Sequence, residues 1–272
     1  MPDECGRLVV VGTGMVLGGQ ITAIAKSEIV NADHVFCLVD GLCEQWLSGL
    51  NPSLTSLQTH YAQGKYRPQS YRDMVDAVIK AVRAGQSVCL VAYGHPGIFA
   101  CVPHWAIKAA RDEGFEARME PGISTQDCLY ADLGLDPGTH GSQSMEATQY
   151  LIYCNRIDPA KLLILWQVGL AGEISLTHFE TDRARLSLLV EKLMADGYGM
   201  DHEVIIYEAA MLAMMPVRME RIALSRLPDS RLNGISTLVI PPAFELKPDQ
   251  AMQARLRALG PLKTDDMDAA GS

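Results

Sequence analysis

The sequence predicts an α/β protein made of two α/β domains, and three observations lead there. The chain has 272 residues, which suits two units because single domains most often run to roughly 100–150 residues. Continuous β-branched runs alternate with amphipathic helical stretches over nearly the whole length, the pattern of strands joined by helical crossovers. Apolar residues make up 48% of the chain and charged residues 20%, enough hydrophobic side chains for a substantial core. The expected boundaries are 1–119 for the first domain, 120–245 for the second and 246–272 for a C-terminal tail.

The first strand is residues 8–11, a β-branched run closed by Gly12 that reads as buried and parallel. Residues 19–31 follow as a helix with Ile21, Ile24, Ala25 and Ile29 apolar, and residues 34–39 supply a second strand. The crossover between two such parallel strands should be right-handed. Residues 71–84 form the clearest helix: Met74, Val75, Val78, Ile79 and Val82 share one face and Gly85 stops it. A strand at 87–93, a helix at 104–113 and an extended stretch at 115–119 lead to the Pro121-Gly122 turn. In the second half, 125–133 and 184–196 read as helices, and 162–168, 203–207 and 237–240 as strands. The basic alternation from Arg218 to Arg231 is mixed with acids and reads as solvated surface. From about Leu262 the chain turns polar.

Composition removes several function classes. A net charge of −9 without a Lys/Arg cluster argues against a nucleic-acid partner, since phosphate binding needs concentrated positive surface. Seven cysteines with no C-x-x-C pair make neither a disulfide framework nor a zinc ligand set. Cys37 and Cys89 sit in apolar runs, where a reduced thiol behaves as a small hydrophobe. The histidines show no H-E-x-x-H spacing, so no metal is expected. The N-terminus carries acids where a signal peptide is basic. No stretch approaches ~20 apolar residues, so the expected setting is the cytoplasm, with no membrane partner.

Three segments carry chemistry. Gly12-Thr13-Gly14 follows the first strand, where glycines let backbone amides approach a ligand. The dinucleotide fingerprint would place its third glycine one residue earlier than Gly18. Asp40 would then hold a ribose, and it serves equally as a strand-end turn residue. The second segment, 93–99, puts Gly94 and Gly97 around His95-Pro96 beyond a strand, where α/β proteins place ligands. The same loop also reads as a tight strand-to-helix connection. The third segment sets Tyr61, Tyr66, Arg67 and Tyr71 close together. A guanidinium beside a phenol favours the phenolate, one route to a base, although a solvated loop of packed tyrosines has the same residues.

Taken in order, GTGMVLGGQ, YGHPGIFACVPHWA, MEPGISTQDCLYADLGLDPG, LLILWQVGLAGE, YEAA and GISTLVIPPA resemble the tetrapyrrole methylase superfamily. Within it they are most similar to the borosin-type peptide backbone α-N-methyltransferases. The likeness runs from about Leu8 to Ala243. It implies two α/β domains of the tetrapyrrole methylase type with S-adenosyl-L-methionine in the inter-domain cleft and S-adenosyl-L-homocysteine as product. Carried over, the donor pocket comprises Tyr93, His95 and Ile98, then Thr125, Gln167, Ala209, Ser236 and Thr237, joined by Gly12 and Gly14 from the first glycine loop. The family's catalytic arginine and tyrosines fall on Arg67, Tyr61 and Tyr71. A further tyrosine of the fungal members is Gln58 here. Fungal members carry their substrate peptide fused at the C-terminus, whereas this sequence is similar to the split, trans-acting bacterial type. That implies a separate precursor peptide and a homodimer, or a heterotetramer with two precursor chains.

The residues at these positions can support a mechanism. An amide nitrogen is a poor nucleophile because resonance delocalises its lone pair. Tyr71, acidified by Arg67, would accept the amide proton, while Tyr61 with Arg67 would stabilise charge on the carbonyl oxygen. The competing readings are a tetrapyrrole (precorrin-type) or other small-molecule methyltransferase of the same fold, an RNA ribose methyltransferase, an NAD-dependent oxidoreductase built on Gly12, Gly14, Gly18 and Asp40, and a peptide-binding module without catalysis.

Overall fold

In the computed structural model, residues 6–62 and 64–260 are described, and the polar stretch expected from about Leu262 lies outside them. The first sheet contains β1 (Arg7–Gly12), β2 (His34–Leu38), β3 (Leu54–Ser56), β4 (Ser87–Ala92) and β5 (Glu116–Met119), ordered β3-β2-β4-β1-β5. Every pairing within it is parallel. Parallel neighbours need crossover connections, which α1 (Ala23–Asn31), α2 (Gly41–Ser48), α3 (Arg67–Arg83) and α4 (Cys101–Asp112) help to supply. Ala25, Ile29, Cys43 and Leu47 pack with Val9, Val11 and Val91 on one face. Met74, Val78, Ala106 and Ala110 pack with Leu8, Val10 and Leu90 on the other. Successive residues of β1 therefore serve opposite cores, which is why the strand reads as an unbroken apolar run.

Two local features differ from the sequence expectation. Helix α1 starts at Ala23 because the Gln20 carboxamide oxygen accepts from the amides of Met15 (2.9 Å) and Val16 (3.0 Å), holding 15–20 as a turn. Thr22 then caps the helix by accepting from the Ala25 amide at 3.1 Å. Asp40 caps α2, its carboxylate accepting from the amides of Leu42 (2.9 Å) and Cys43 (3.0 Å).

The second sheet departs further. It holds β6 (Ser142–Glu146), β7 (Leu162–Trp166), β8 (Glu203–Glu208), β9 (Arg218–Ala223) and β10 (Thr237–Ile240), in the order β6-β7-β10-β8-β9. Only β6 and β7 pair in parallel; β10 inserts antiparallel between β7 and β8, and β9 closes the edge antiparallel to β8. The alternating pattern had suggested two similar halves, but β6 and β9 are polar edge strands without a hydrophobic signature. The charged stretch read as surface is in part β9: Arg218 meets Glu208 at 2.7 Å and Arg221 meets Glu203 at 2.6 Å across the pair. Charges along an edge strand also discourage pairing with another chain.

Helices α5 (Thr125–Leu133), α6 (Pro137–His140), α7 (Ala147–Ile152) and α8 (Arg183–Ala195) complete this half. Tyr150, Leu186, Leu189 and Leu193 pack with Leu163, Leu165 and Ile206 on one face of the sheet. On the other, Leu129 of α5 packs with Trp166, Tyr207 and Val239, and Met15 from the first half enters the same cluster. A last helix, α9 (Gln250–Ala258), lies where only a tail was expected. Among the described residues, no helix is long and apolar enough to cross a membrane.

Candidate active site

The antiparallel insertion of β10 decides where the chemistry sits. Because β10 runs opposite to β7 and β8, its first residues, Ser236 and Thr237, lie beside the C-terminal ends of those strands, with Thr237 opposite Tyr207. These ends face the glycine turns beyond β1 and β4. A cavity of about 390 Å³ opens between them, within the range of ligand pockets, roughly 300–1,000 Å³.

From the first half, Tyr93, His95 and Ile98 reach the cavity wall. His95 Nδ1 accepts from the Gly97 amide at 3.0 Å, which makes the turn compact. From the second half come Thr125 at the start of α5, Gln167 and Ala209 beyond β7 and β8, and Thr237. The capping box of α5 fixes its end: Ser124 Oγ accepts from the Asp127 amide, and the Asp127 carboxylate accepts from the Ser124 amide at 2.7 Å.

Three expected donor contacts do not reach the wall. Gly12 and Gly14 serve close backbone approach to the other glycine loop. The amide of Gly14 donates to the Gly94 carbonyl at 3.2 Å and that of Gly94 donates back at 2.9 Å, and both residues have left-handed φ, +71° and +65°. A Cβ on Gly12 would lie 2.1 Å from the Gly94 oxygen. Ser236 is fully buried behind the wall, its hydroxyl donating to Glu208 at 2.6 Å. Asp40, engaged at the α2 N-terminus, is also outside the wall.

Tyr61, Arg67 and Tyr71 all line the same cavity. Arg67 is the first residue of α3 and Tyr71 follows one helical turn later, so both point from one face. The rings of Tyr61 and Tyr71 meet edge to face with centroids 6.1 Å apart, and Tyr71 stands likewise against Trp105 at 6.2 Å. Phe179 arrives from the second half, 5.8 Å from the Tyr61 ring and 5.2 Å from the Arg67 guanidinium carbon. Gln58 also lines the cavity, but its amide donates to the Val39 carbonyl at 3.1 Å and ties this turn to the end of β2.

The electrostatics correct one expectation. Arg67 does pull the Tyr71 phenol down, as does hydrogen bonding with Tyr61, but burial, aided by Cys101, pushes it up by more. Burial and the neighbouring Tyr71 raise Tyr61 as well, and burial raises Tyr93. All three phenols are therefore neutral in this site near pH 7.

The sequence reading missed Glu173, Phe179 and Trp105. Glu173 accepts from Arg67 Nη2 at 3.2 Å, with both side chains largely buried. The Arg67 amide donates to the Leu176 carbonyl at 3.0 Å, so the 173–179 segment grips the start of α3 twice. One signal was present, the acid in LAGE, but only the fold brings it to Arg67. Of the non-glycine residues with left-handed φ among those described, Phe99 (+51°) and Gln167 (+55°) line this cavity and Leu176 (+59°) accepts from the Arg67 amide behind it, where sparsely populated conformations tend to collect. No cluster of His, Cys, Asp and Glu suited to a metal occurs among the described residues.

The comparisons with known proteins agree with this architecture. Uroporphyrin-III-C-methyltransferase from Thermus thermophilus superposes with a TM-score of 0.63 at 18% identity, covering 87% of this chain and 92% of that one. The cobalt precorrin-4 methyltransferase CbiF gives 0.63 at 15% identity over 86% and 94%. These likenesses concern the fold. In sequence, the chain is 37% identical over 261 residues to a methyltransferase/ribosomally synthesized cyclic peptide gymnopeptides precursor of Gymnopus fusipes, covering 94% of this chain and 62% of the relative. It is 36% identical over 244 residues to the omphalotin A precursor of Omphalotus olearius, covering 88% and 58%. The chain thus spans about three fifths of these relatives. Residues 7–219 match the family described as Tetrapyrrole (Corrin/Porphyrin) Methylases, and with the fold and the cleft in agreement, the chain belongs to that family.

Proposed function

We propose that this chain transfers a methyl group from S-adenosyl-L-methionine to backbone amide nitrogens of a peptide supplied as a separate chain. The observation that carries the reading is the convergence of Tyr61, Arg67 and Tyr71 on the cavity that Tyr93, His95, Thr125, Gln167 and Thr237 also line. The fungal relatives, methyltransferases joined to cyclic-peptide precursors, support a peptide acceptor.

The residues present suit such a donor. Among the described residues the wall holds no carboxylate, and its aromatic rings, Tyr61, Tyr71, Tyr93 and Phe99, suit a sulfonium cation. Buried Thr237 and Ser124 supply fixed polar groups beside it. When bound, the donor brings an electrophilic methyl carbon and one positive charge.

The protein's own part is to localise the amide lone pair. Arg67 Nε is buried without a protein partner among the described residues. A buried unpaired donor is costly, and a peptide carbonyl oxygen would satisfy it while gaining stabilisation for the negative charge it develops. Tyr61, which packs on the same Phe179 ring as the guanidinium, adds a phenolic hydrogen to the same oxygen. Tyr71 first gives its own proton to solvent, an ionisation that Arg67 and a cation in the cleft both favour, and the resulting phenolate then takes the amide proton. Holding the reactants aligned contributes the rest, up to about 7–11 kcal/mol at best.

The catalytic unit in this reading is a homodimer. Exposed apolar side chains such as Leu188, Met214, Leu256 and Leu259 provide surface to cover, and light scattering tests it. The main test mixes the chain, S-adenosyl-L-methionine and candidate peptides, followed by fragment mass spectrometry. Additions of 14 Da on backbone nitrogens are expected. Methyl groups found only on side chains, or only on a tetrapyrrole acceptor, would refute the assignment.

A further inference from the structure

Arg67 and Glu173 lie 106 residues apart in sequence, yet their side chains are only 12% and 7% exposed and meet at 3.2 Å. Burying two charges is costly, and pairs of this kind are poor stabilisers compared with apolar packing. The acid's remaining valences are nevertheless filled: the Ser175 amide donates to Glu173 Oε1 at 3.0 Å and the Ser175 hydroxyl donates to the same oxygen. Ser175 is held in turn by Thr177 at 2.7 Å, and Thr177 by His178 at 2.9 Å. Such a network orients a carboxylate. Burial works to raise Glu173, but Ser175, the Arg67 charge and the His178 amide outweigh it, so the group is ionised at neutral pH.

We propose that Glu173 is a positioning residue that clamps the guanidinium of Arg67 at Nη2, so that its plane stays against Phe179 and its free donors stay available to the acceptor carbonyl. A planar guanidinium needs two constraints to fix its direction. Nη2 bound to Glu173 is one, and the Phe179 face, 5.2 Å from the guanidinium carbon, is the other. The chain direction supports the clamp, because the Arg67 amide is itself bound to Leu176. The two halves therefore build the acceptor site jointly, since the arginine comes from one and everything that orients it comes from the other. This inference rests on the role given to Arg67 above.

Glu173→Gln keeps the shape and removes the charge, and Glu173→Asp keeps the charge. With Glu173→Gln, S-adenosyl-L-homocysteine affinity by calorimetry should stay within about twofold and peptide KM within about threefold, while kcat falls about 100-fold, the scale of a 1 Å misplacement. Glu173→Asp should recover about tenfold of that loss. A crystal structure of Glu173→Gln should show the guanidinium displaced from Phe179. If that variant loses cofactor binding altogether, Ser175→Ala takes its place, and it should lower kcat about tenfold with S-adenosyl-L-homocysteine affinity intact. Wild-type kcat in Glu173→Gln, or in Ser175→Ala where it serves as substitute, overturns the clamp. A wild-type chain that methylates no peptide, with the guanidinium displaced in Glu173→Gln, removes the functional reading and leaves the clamp standing.

Discussion

Replacing Gly12 by alanine tests how the donor wall is built. Gly12 closes β1, and a Cβ there would stand 2.1 Å from the Gly94 carbonyl oxygen and 2.8 Å from Pro96 Cδ, where ordinary contact begins at 3.4 Å. The obstacle is backbone, so no rotamer relieves it. The two glycine loops are also bonded amide to carbonyl in both directions, at 2.9 and 3.2 Å. The 93–98 turn must therefore move by more than about 1 Å, carrying Tyr93, His95 and Ile98 with it, and misplacement on that scale costs about 100-fold in rate. Overpacking adds about 1–3 kcal/mol of destabilisation. The matched control is Gly41→Ala, at the start of α2, where a new Cβ meets nothing within 4 Å. It should leave donor affinity unchanged and raise stability by about 0.4–1 kcal/mol. Calorimetry with S-adenosyl-L-homocysteine, thermal melts and peptide methylation rates read the pair. A Gly12→Ala protein that binds S-adenosyl-L-homocysteine as tightly as wild type would show that the turn's position does not govern donor binding.

Three further outcomes follow from the site. Tyr71→Phe should keep S-adenosyl-L-homocysteine affinity while methylation falls about 100- to 10,000-fold, and retention of the wild-type rate by mass spectrometry would remove Tyr71 as the base. Because burial raises Tyr71 above the ordinary phenol value, near 10, its basic form grows with pH. In single-turnover measurements the rate should still climb at about pH 9, and a flat profile from neutral to alkaline pH excludes a titrating phenol. Asp40→Ala removes the carboxylate oxygen that accepts from two amides at α2, and should cost about 1 kcal/mol in melting experiments without weakening S-adenosyl-L-homocysteine binding. A large affinity loss would instead return Asp40 to a ribose-binding role.

The first half was legible because its physics is local and repetitive. Strands buried on both faces announce themselves as runs such as LVVV, and α3 shows its apolar stripe at Met74, Val78 and Val82. The second half was less legible for the opposite reason. Edge strands β6 (SQSME) and β9 (RMERIA) are half-exposed and polar, so neither periodicity nor hydrophobicity marks them. The position of β10 depends on which neighbours it finds, a long-range matter no local window contains. At the site, the residues carried by motif, Tyr93, His95, Thr125, Gln167 and Thr237, meet at one cavity. Gly12 and Gly14 signal close backbone approach in the sequence, and the partner they approach is Gly94. Glu173 and Phe179 stayed hidden because an acid and an aromatic in a loop carry no signal until the fold sets them against Arg67.

The neutrality of Tyr71 bears on how a general base can be stored safely. A phenolate permanently present beside Arg67 would be a strong competing nucleophile facing an alkylating sulfonium. Burial among Tyr61, Trp105 and Cys101 keeps the proton on Tyr71, although Arg67 opposes it. Glu173 contributes to the same end, since a carboxylate paired to the guanidinium lessens the positive field that the phenol feels. Under the proposed function, a second positive charge entering the cleft would then favour ionisation at the moment an acceptor amide can surrender its proton. In the proposed reading, the energetic conflict between desolvation and the arginine is thus what would make Tyr71 a conditional base. A cavity with Arg67 unpaired, or with Tyr71 solvated, would lose that conditionality even if every catalytic residue remained in place.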